Sequence, residues 1–253
     1  MNSWRGEFFG TNERLTTKDH ELARASAWRR RAPGSGASRR TSKVTAVKVK
    51  VCGITSLADA EKALEFGADL LGFNFYPPSA RYVAPETAQK ILQRLPSGSF
   101  NVAVFVNEPR ERVRATIDCG RLADGRQAFG GLQFHGEEDA DYCLGWGMTV
   151  IKAVRVRERS SLKALETIAA DFYLLDSFSE GYGGSGAPFP WEWLDGISAS
   201  KLILSGGLRV DNVTQAIQKI RPYGVDVCSG VEARPGVKDY EKLKQFISAA
   251  KAA

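Results

Sequence analysis

Residues 47–55 read VKVKVCGIT, and this alternation of valine with polar residues is typical of a β-strand that ends at Cys52. A glycine follows the cysteine at once, so the strand is expected to stop in a turn. Side chains alternate along a strand, so Lys50 and Cys52 share one face while Val49 and Val51 share the other. In a parallel barrel, strand C-termini form the face that carries the active site. Cys52 is therefore a candidate reactive thiol, with a small buried packing group as the alternative.

Lys50 is expected to lie below Cys52 on the inward face of this strand. A cation beside a thiol favours the thiolate, which is the reactive form of cysteine. The alternative for Lys50 is an ion pair with a carboxylate inside the protein.

Seven further apolar segments follow, and helical patterns separate most of them. The predicted strands are Val47–Cys52, Leu70–Phe75, Asn101–Val106, Gly131–Phe134, Thr149–Val154, Phe172–Asp176, Lys201–Ser205 and Gly224–Cys228. The predicted helices are Ser56–Phe66, Pro85–Leu95, Pro109–Cys119, Glu137–Leu144, Leu162–Ala170, Val210–Ile220 and Asp239–Ala249. Strands that alternate with helices pair in parallel, so this α/β pattern predicts a single closed (β/α)8 TIM barrel. An open doubly wound sheet is the alternative, but the turn after the first strand lacks its G-x-G-x-x-G fingerprint.

The barrel is predicted to occupy residues 45–253, preceded by a disordered basic extension over residues 1–44. The chain has 253 residues and a net charge of +6. Residues 1–44 hold ten Lys/Arg and four Asp/Glu, so the remainder is electrically balanced. The basic character therefore predicts nothing about the ligand of the folded part. We interpret the extension as inert, with a targeting or nucleic-acid-binding arm as the alternative.

Composition favours a cytoplasmic enzyme without membrane or nucleic-acid partners. No apolar run is long enough to span a bilayer, and no secretory h-region is present. The four cysteines include no C-x-x-C pair and only two histidines occur, so a metal site is poorly supported. The sequence leaves open whether the protein is a monomer or a homodimer.

Polar residues stand at the ends of several predicted strands. Arg81 follows a rigid Pro-Pro loop after the second strand, which suits capture of a carboxylate, although a solvated arginine is the alternative. Gln133 and His135 end the fourth strand with the same parity, and a core histidine is the alternative for His135. Asp176 ends the sixth strand, where an aspartate is either a general acid or base or a helix cap.

Glycine-rich loops follow the last three strands. The loop after the sixth strand, Gly181–Gly186, could be a lid or a phosphate cradle. Gly206-Gly207 and Ser229-Gly230 follow the seventh and eighth strands, which is the usual phosphate site of a barrel. Together with the thiol and the aspartate they predict an acid and a base on two sides of a phospho-sugar. That arrangement is typical of an aldose–ketose isomerisation.

The remaining thiols are interpreted as packing groups. Cys228 is assigned to packing beside the phosphate loop. Cys119 and Cys143 are assigned to the buried faces of helices.

The chain resembles the phosphoribosylanthranilate isomerase family of tryptophan biosynthesis over essentially all of residues 47–253. The stretches that carry the resemblance are KVCGIT (50–55), GFNFYPPSARYV (72–83), VFVNE (104–108), LQFHG (132–136), LLDS (174–177), GGSG (183–186), LSGGL (204–208) and DVCSGVE (226–232). Small departures from the family pattern stand at Phe134, Ser185 and Cys228. Residues 1–44 have no counterpart.

The resemblance implies an Amadori rearrangement of N-(5-phosphoribosyl)anthranilate without cofactor or metal. It implies that Cys52 is the general base at C2′ and that Asp176 is the general acid at the ring oxygen. It also implies that Arg81 holds the anthranilate carboxylate. The substrate-binding set that we expect comprises Arg81, Gln133, His135, Gly183, Gly184, Gly206, Gly207, Ser229 and Gly230.

Three other functions compete with this one. A synthase or lyase would form a covalent adduct on Cys52. The histidine-pathway sugar isomerase is disfavoured, since it resembles this chemistry but has an aspartate where Cys52 stands. A non-catalytic phosphate-binding barrel would need neither Cys52 nor Asp176.

Overall fold

The computed structural model describes residues 46–178 and 188–253. The predicted 1–44 extension and the Gly183-Gly184 pair lie outside the described residues.

Eight parallel strands form a closed barrel in chain order. Their bounds are β1 Lys48–Cys52, β2 Leu70–Asn74, β3 Phe100–Phe105, β4 Phe129–Phe134, β5 Thr149–Val156, β6 Phe172–Ser177, β7 Leu202–Leu204 and β8 Gly224–Val227. β8 pairs with β1, and Lys50 stands opposite Asp226 in that register. The predicted (β/α)8 barrel is confirmed, and all eight strands lie where the apolar segments placed them.

Helices cover the outside of the barrel. Their bounds are α1 Leu57–Glu65, α2 Pro85–Leu92, α3 Arg110–Cys119, α4 Ala164–Thr167, α5 Val213–Ile220 and α6 Tyr240–Ala252. Short 3-10 turns occupy Arg159–Lys163, Trp191–Leu194, Ala199–Lys201 and Ser229–Val231. A two-stranded antiparallel hairpin, β9 Glu232–Arg234 and β10 Val237–Lys238, follows β8. Within the described residues, no helix combines the length and the apolar character that crossing a bilayer requires.

The predicted helix over Glu137–Leu144 is wrong, because this segment forms turns. The Glu138 side chain turns inward and its Oε2 accepts hydrogen bonds from Lys152 Nζ at 2.8 Å and from the Gly136 N–H at 2.9 Å. Its Oε1 accepts a hydrogen bond from the Asn107 N–H at 2.7 Å. The contacts with Lys152 and Asn107, which are distant in the chain, fix the loop in a non-helical path.

Two assignments of cysteines to helical cores need correction. Cys143 is buried, as expected, but it lies in the turn that replaces the predicted helix. Cys119 is the last residue of α3 and is only partly buried.

The barrel interior is apolar at the bottom and polar at the top. Leu70, Val102, Ile151, Leu174 and Ile203 belong to one buried cluster of inward-facing side chains. Outward-facing residues pack against the helices in a second, larger cluster. This apolar cluster fills the lower part of the barrel, so the polar side chains of the interior lie near the strand C-termini.

At the end of the barrel where the strands begin, ion pairs connect the first strand to the last helix. Asp69 accepts hydrogen bonds from Lys48 Nζ at 2.8 Å and from the Val49 N–H at 2.9 Å. Its second oxygen also pairs with Lys251 of α6. Asp69 therefore links the starts of β1 and β2 to the C-terminal helix.

Candidate active site

One cavity opens at the C-terminal ends of the strands, with a volume of about 810 Å³ that includes its open mouth. A space of this size suits a small phosphorylated ligand. The predicted site residues that line it are Cys52, Arg81, Gln133, His135, Asp176, Gly206, Gly207, Ser229 and Gly230. The barrel therefore brings together every predicted site residue that the structure describes.

Cys52 lies at the tip of β1 above a buried ion pair. Lys50 Nζ donates to Asp226 Oδ1 at 2.7 Å, and both side chains are almost fully buried. Ser205 Oγ donates to the other oxygen, Asp226 Oδ2, at 2.9 Å. The ion pair proposed as an alternative for Lys50 is thus present, and it lies in the same cluster as the thiol rather than apart from it.

Gly72 of β2 provides the room for this cluster. It stands opposite Cys52 in the register of β1 with β2. A Cβ atom built on Gly72 would lie 2.8 Å from Cys52 Sγ and 3.0 Å from Lys50 Nζ. The sulfur and the ammonium therefore converge on space that exists because this strand residue has no side chain.

The charges around Cys52 act on its thiol in opposite directions. Burial raises the pKa of Cys52 above its ordinary value, and the charge of Lys50 opposes that rise while Asp226 reinforces it. Burial disfavours the charge of Lys50 too, but attraction to Asp226 and Cys52 raises the pKa of Lys50 above its ordinary value. Lys50 therefore keeps its proton and remains a permanent cation beside the sulfur.

Asp176 at the end of β6 belongs to a chain of three polar side chains. Gln133 Nε2 lies 2.8 Å from His135 Nδ1, and His135 Nε2 lies 3.1 Å from Asp176 Oδ2. When the Gln133 amide donates to Nδ1, the ring proton is on Nε2 and faces the carboxylate. The side chain of Asp176 is therefore held by a hydrogen bond with His135.

Arg81 is paired rather than solvated. Its Nη2 donates to Glu232 Oε2 at 2.7 Å, and its Nε lies 3.2 Å from Glu232 Oε1. The hydrogen bond with Glu232 raises the pKa of Arg81 above its ordinary value. Arg81 still lines the cavity, so the pairing does not remove it from the site.

The loop after β7 needs glycine where it meets β6. Gly206 has a φ of 76°, and a Cβ there would lie 2.2 Å from the backbone nitrogen of Ser177. The loop consequently packs directly on the end of β6 and brings Gly206 and Gly207 to the cavity wall. Backbone groups at such a close approach are a common way to bind phosphate.

Sequence reasoning missed four residues that shape the site. Ser205 and Asp226 support the lysine under Cys52, and Glu232 and Lys238 lie on the hairpin after β8. The position of Asp226 in the predicted last strand was a usable signal, because a side chain that faces inward there can pair with Lys50 of β1. Glu232 and Lys238 gave no local signal, because their partners are far away in the chain.

Comparison with known proteins agrees with this geometry. Residues 49–249 match the family model described as N-(5′-phosphoribosyl)anthranilate (PRA) isomerase. A relative of that name from Pelobacter propionicus is 45% identical over 208 residues, which cover 81% of this chain and 96% of the relative.

Solved structures of the same family are similar over the whole barrel. The phosphoribosyl anthranilate isomerase of Thermotoga maritima has a TM-score of 0.73 and 41% identity, covering 82% of this chain and 100% of that one. Another, solved with reduced 1-(o-carboxyphenylamino)-1-deoxyribulose 5-phosphate, has a TM-score of 0.69 and 39% identity at the same coverage. The chain belongs to the N-(5′-phosphoribosyl)anthranilate isomerase family.

Proposed function

We propose that this enzyme converts N-(5′-phosphoribosyl)anthranilate to 1-(2-carboxyphenylamino)-1-deoxyribulose 5-phosphate, a step of tryptophan biosynthesis. The observation that carries the assignment of roles is that Cys52 and Asp176, from β1 and β6, line one cavity. An acid and a base on different strands can act on different atoms of one substrate. No cofactor or metal takes part in the proposed reaction.

Binding fixes both anionic ends of the substrate. Arg81 pairs with the anthranilate carboxylate, for which a guanidinium has the right fork of N–H groups. Backbone groups around Gly206-Gly207 and Ser229-Gly230 hold the phosphate, together with Gly183 and Gly184. Fixing two ends places the sugar ring between the acid and the base, which removes much of the entropic barrier.

The acid step opens the sugar ring. Asp176 donates a proton to the ring oxygen, the bond between C1′ and that oxygen breaks, and the nitrogen lone pair forms the C1′=N bond of a cationic Schiff base. His135 and Gln133 hold the Asp176 carboxyl through the contacts described above.

The base step moves the hydrogen from C2′. The Cys52 thiolate removes the C2′ proton, the electron pair forms the C1′=C2′ bond, and the C=N electrons return to nitrogen. The resulting enol-amine becomes the ketose by tautomerisation. The cationic Schiff base acidifies C2′, so a thiolate of moderate basicity suffices, and Lys50 stabilises its charge.

Turnover is tested by adding the purified protein to freshly made phosphoribosylanthranilate and following the loss of anthranilate-type fluorescence. Cys52→Ser and Asp176→Asn should each lower kcat by roughly 10²–10⁴-fold, since each removes one general acid–base step. Binding of the product should change little in either variant.

Matched controls are Cys119→Ser on α3 and Asp118→Asn, which change the same residue types away from the cavity. Absence of turnover by the unmodified protein would overturn the assigned reaction. Undiminished single-turnover chemistry in Cys52→Ser would remove the base role alone, and a mass shift on Cys52 after substrate quench would indicate a covalent adduct instead.

The setting of the enzyme is part of the same proposal. We assign it to the cytoplasm, acting on a small phospho-sugar without membrane or nucleic-acid partners, as a monomer or a homodimer. Light scattering measures the molar mass of the protein, and measurements on dilute and concentrated samples distinguish the two assembly states.

A further inference from the structure

The hairpin β9–β10 contacts three residues that line the cavity, namely Cys52, Arg81 and Cys228. Glu232, at its start, has a side chain that is 4% exposed. Lys238, at its end, has a fully buried side chain whose Nζ lies 3.4 Å from Glu232 Oε1. The Gly236 N–H donates to the same oxygen at 3.2 Å. One carboxylate is thus surrounded by a lysine, an arginine and a backbone donor.

The two cations of this group reach two different parts of the site. Glu232 receives hydrogen bonds from Arg81 Nε and Nη2, which form one edge of the guanidinium. Lys238 Nζ donates to the backbone oxygen of Cys52 at 2.6 Å. A short hairpin therefore contacts both the residue assigned to carboxylate binding and the residue assigned to proton removal.

The remaining edge of Arg81 is suited to a second carboxylate. A guanidinium carries five N–H groups in a rigid plane. Within the described part of the chain, Arg81 donates hydrogen bonds only from Nε and Nη2, and Glu232 accepts them. The Nη1 side remains for a ligand. The stem of Arg81 also packs against Gly53, where a Cβ would lie 2.9 Å from Arg81 Cγ. Contacts at both ends hold this flexible side chain in one orientation.

Charge explains why the carboxylate of Glu232 is needed there. Burial opposes its ionisation, but the hydrogen bond from Arg81 and the charge of Lys238 lower the pKa of Glu232 below its ordinary value. Without that negative charge, Arg81 and the buried Lys238 would face each other as two like charges. Arg81 would then be driven away from the hairpin and from its position at the cavity wall.

We propose that Glu232 is a positioning residue that determines specificity for a carboxylate-bearing substrate, because it binds the Nε and Nη2 groups of Arg81, a residue of the cavity wall, and leaves Nη1 for the ligand. The inference rests on the proposed function and deepens it by naming what makes the carboxylate receptor rigid. Preorganisation of this kind strengthens binding by removing the cost of ordering the arginine when the ligand arrives.

The test compares two ligands that differ in one group. The first is the reduced product, 1-(2-carboxyphenylamino)-1-deoxyribulose 5-phosphate with its ketone reduced, and the second is the same molecule without the ring carboxylate. The ratio of their Kd values measures carboxylate recognition, and binding of the carboxylate-free ligand measures the integrity of the rest of the site. In Glu232→Gln the ratio should fall roughly ten- to hundredfold, the loss expected for charge-assisted hydrogen bonds, while the carboxylate-free ligand binds within about twofold of the unmodified protein.

A double-mutant cycle tests whether Glu232 acts through Arg81. Arg81→Met should abolish the discrimination, and Glu232→Gln added to that variant should change the ratio no further. The matched control is Glu65→Gln on α1, whose carboxylate forms an exposed ion pair with Lys62 and should leave the ratio unchanged.

The outcomes are distinct. An unchanged ratio in Glu232→Gln, or equal weakening of both ligands, overturns the inference. If that variant does not fold, Glu232→Asp carries the test, since it keeps the charge but withdraws it from Arg81, and a native ratio there overturns the inference too. A ratio of the two Kd values near one in the unmodified protein would show that Arg81 does not bind the carboxylate. Absence of phosphoribosylanthranilate turnover would overturn the proposed function itself.

Discussion

At the scale of single residues, the site depends on how a buried thiol behaves beside a buried ammonium. Burial is the larger influence on Cys52 and raises the pKa of its thiol. The charge of Lys50 opposes this rise, but the carboxylate of Asp226, which pairs with Lys50 Nζ at 2.7 Å, partly offsets the effect of the lysine. Burial therefore favours the thiol at neutral pH, and the thiolate that the proposed mechanism requires is a minority form that the charge of Lys50 stabilises.

This balance predicts the pH dependence of Cys52 alkylation. Only the thiolate reacts with iodoacetamide, so the rate at Cys52 should rise about tenfold per pH unit between about pH 7 and 9 without levelling off. The rate is measured by mass spectrometry of the peptide, and bound product should protect the thiol. A plateau below about pH 8 would contradict the prediction, because it would mean that Lys50 outweighs burial.

At the scale of elements, β2 contributes to the site through a missing side chain. Gly72 lies in the middle of a buried strand, where a larger residue would normally be favoured by packing. The room it leaves is occupied by the sulfur of Cys52 and the ammonium of Lys50 from the neighbouring strand. The geometry around Cys52 is thus set by pairing between two strands and not by β1 alone.

Gly72→Ala should therefore reduce activity more than stability. The added methyl group would displace Sγ, and a misplacement of about 1 Å costs roughly 10²-fold in kcat. Overpacking should lower the free energy of unfolding by about 1–3 kcal/mol. Kinetics and thermal unfolding measure the two effects, and Gly98→Ala is the control because a Cβ there meets nothing within 4 Å. Native kcat in a folded Gly72→Ala protein would contradict this account of the strand.

At the scale of the whole molecule, closure of the barrel depends on contacts between its first and last elements. β1 pairs with β8, and Asp69 ties the start of β1 to Lys251 near the end of α6. Burial opposes ionisation of Asp69, but hydrogen bonds from Lys251 and Lys48 lower its pKa below the ordinary value of 3.8. Asp69 should therefore stabilise the closed barrel only while it is ionised.

Asp69→Asn tests this contribution across pH. A folded-state pKa below the unfolded value gives stability that is complete above about pH 4 and is lost as the pH falls through the folded value. At pH 7 the variant should lose roughly 1–2 kcal/mol of unfolding free energy, measured by urea denaturation. At about pH 2 the free energies of unfolding of the two proteins should become similar. An undiminished difference there would show that the charge is not the cause.

Removal of residues 1–44 tests the proposed domain boundary. The eight strands of the barrel lie between Lys48 and Val227, and the family match begins at residue 49. A chain of residues 45–253 should keep kcat and KM within about twofold of the full chain. A large loss of activity or solubility would assign the extension a role in the enzyme.

Local patterns predicted the parts of this fold that depend on local chain properties. Short apolar segments located all eight strands, and glycine, proline and polar residues marked where they end. The Glu137–Leu144 segment has a helical pattern, but Glu138 is drawn to Lys152 and the segment forms turns. A contact between distant residues outweighed the local preference there.

The sequence by itself determined the barrel, the face that carries the chemistry and the thiol and carboxyl that stand at its strand ends. Periodicity and chain direction suffice for these, because each is decided within a few residues. The tertiary structure alone decided what surrounds them. Lys50 meets Asp226 across 176 positions, and Arg81 meets Glu232 across 151 positions, because the barrel closes on itself. The ionisation of Cys52 and the orientation of Arg81 follow from these long-range contacts, since charge and burial act through space and not along the chain.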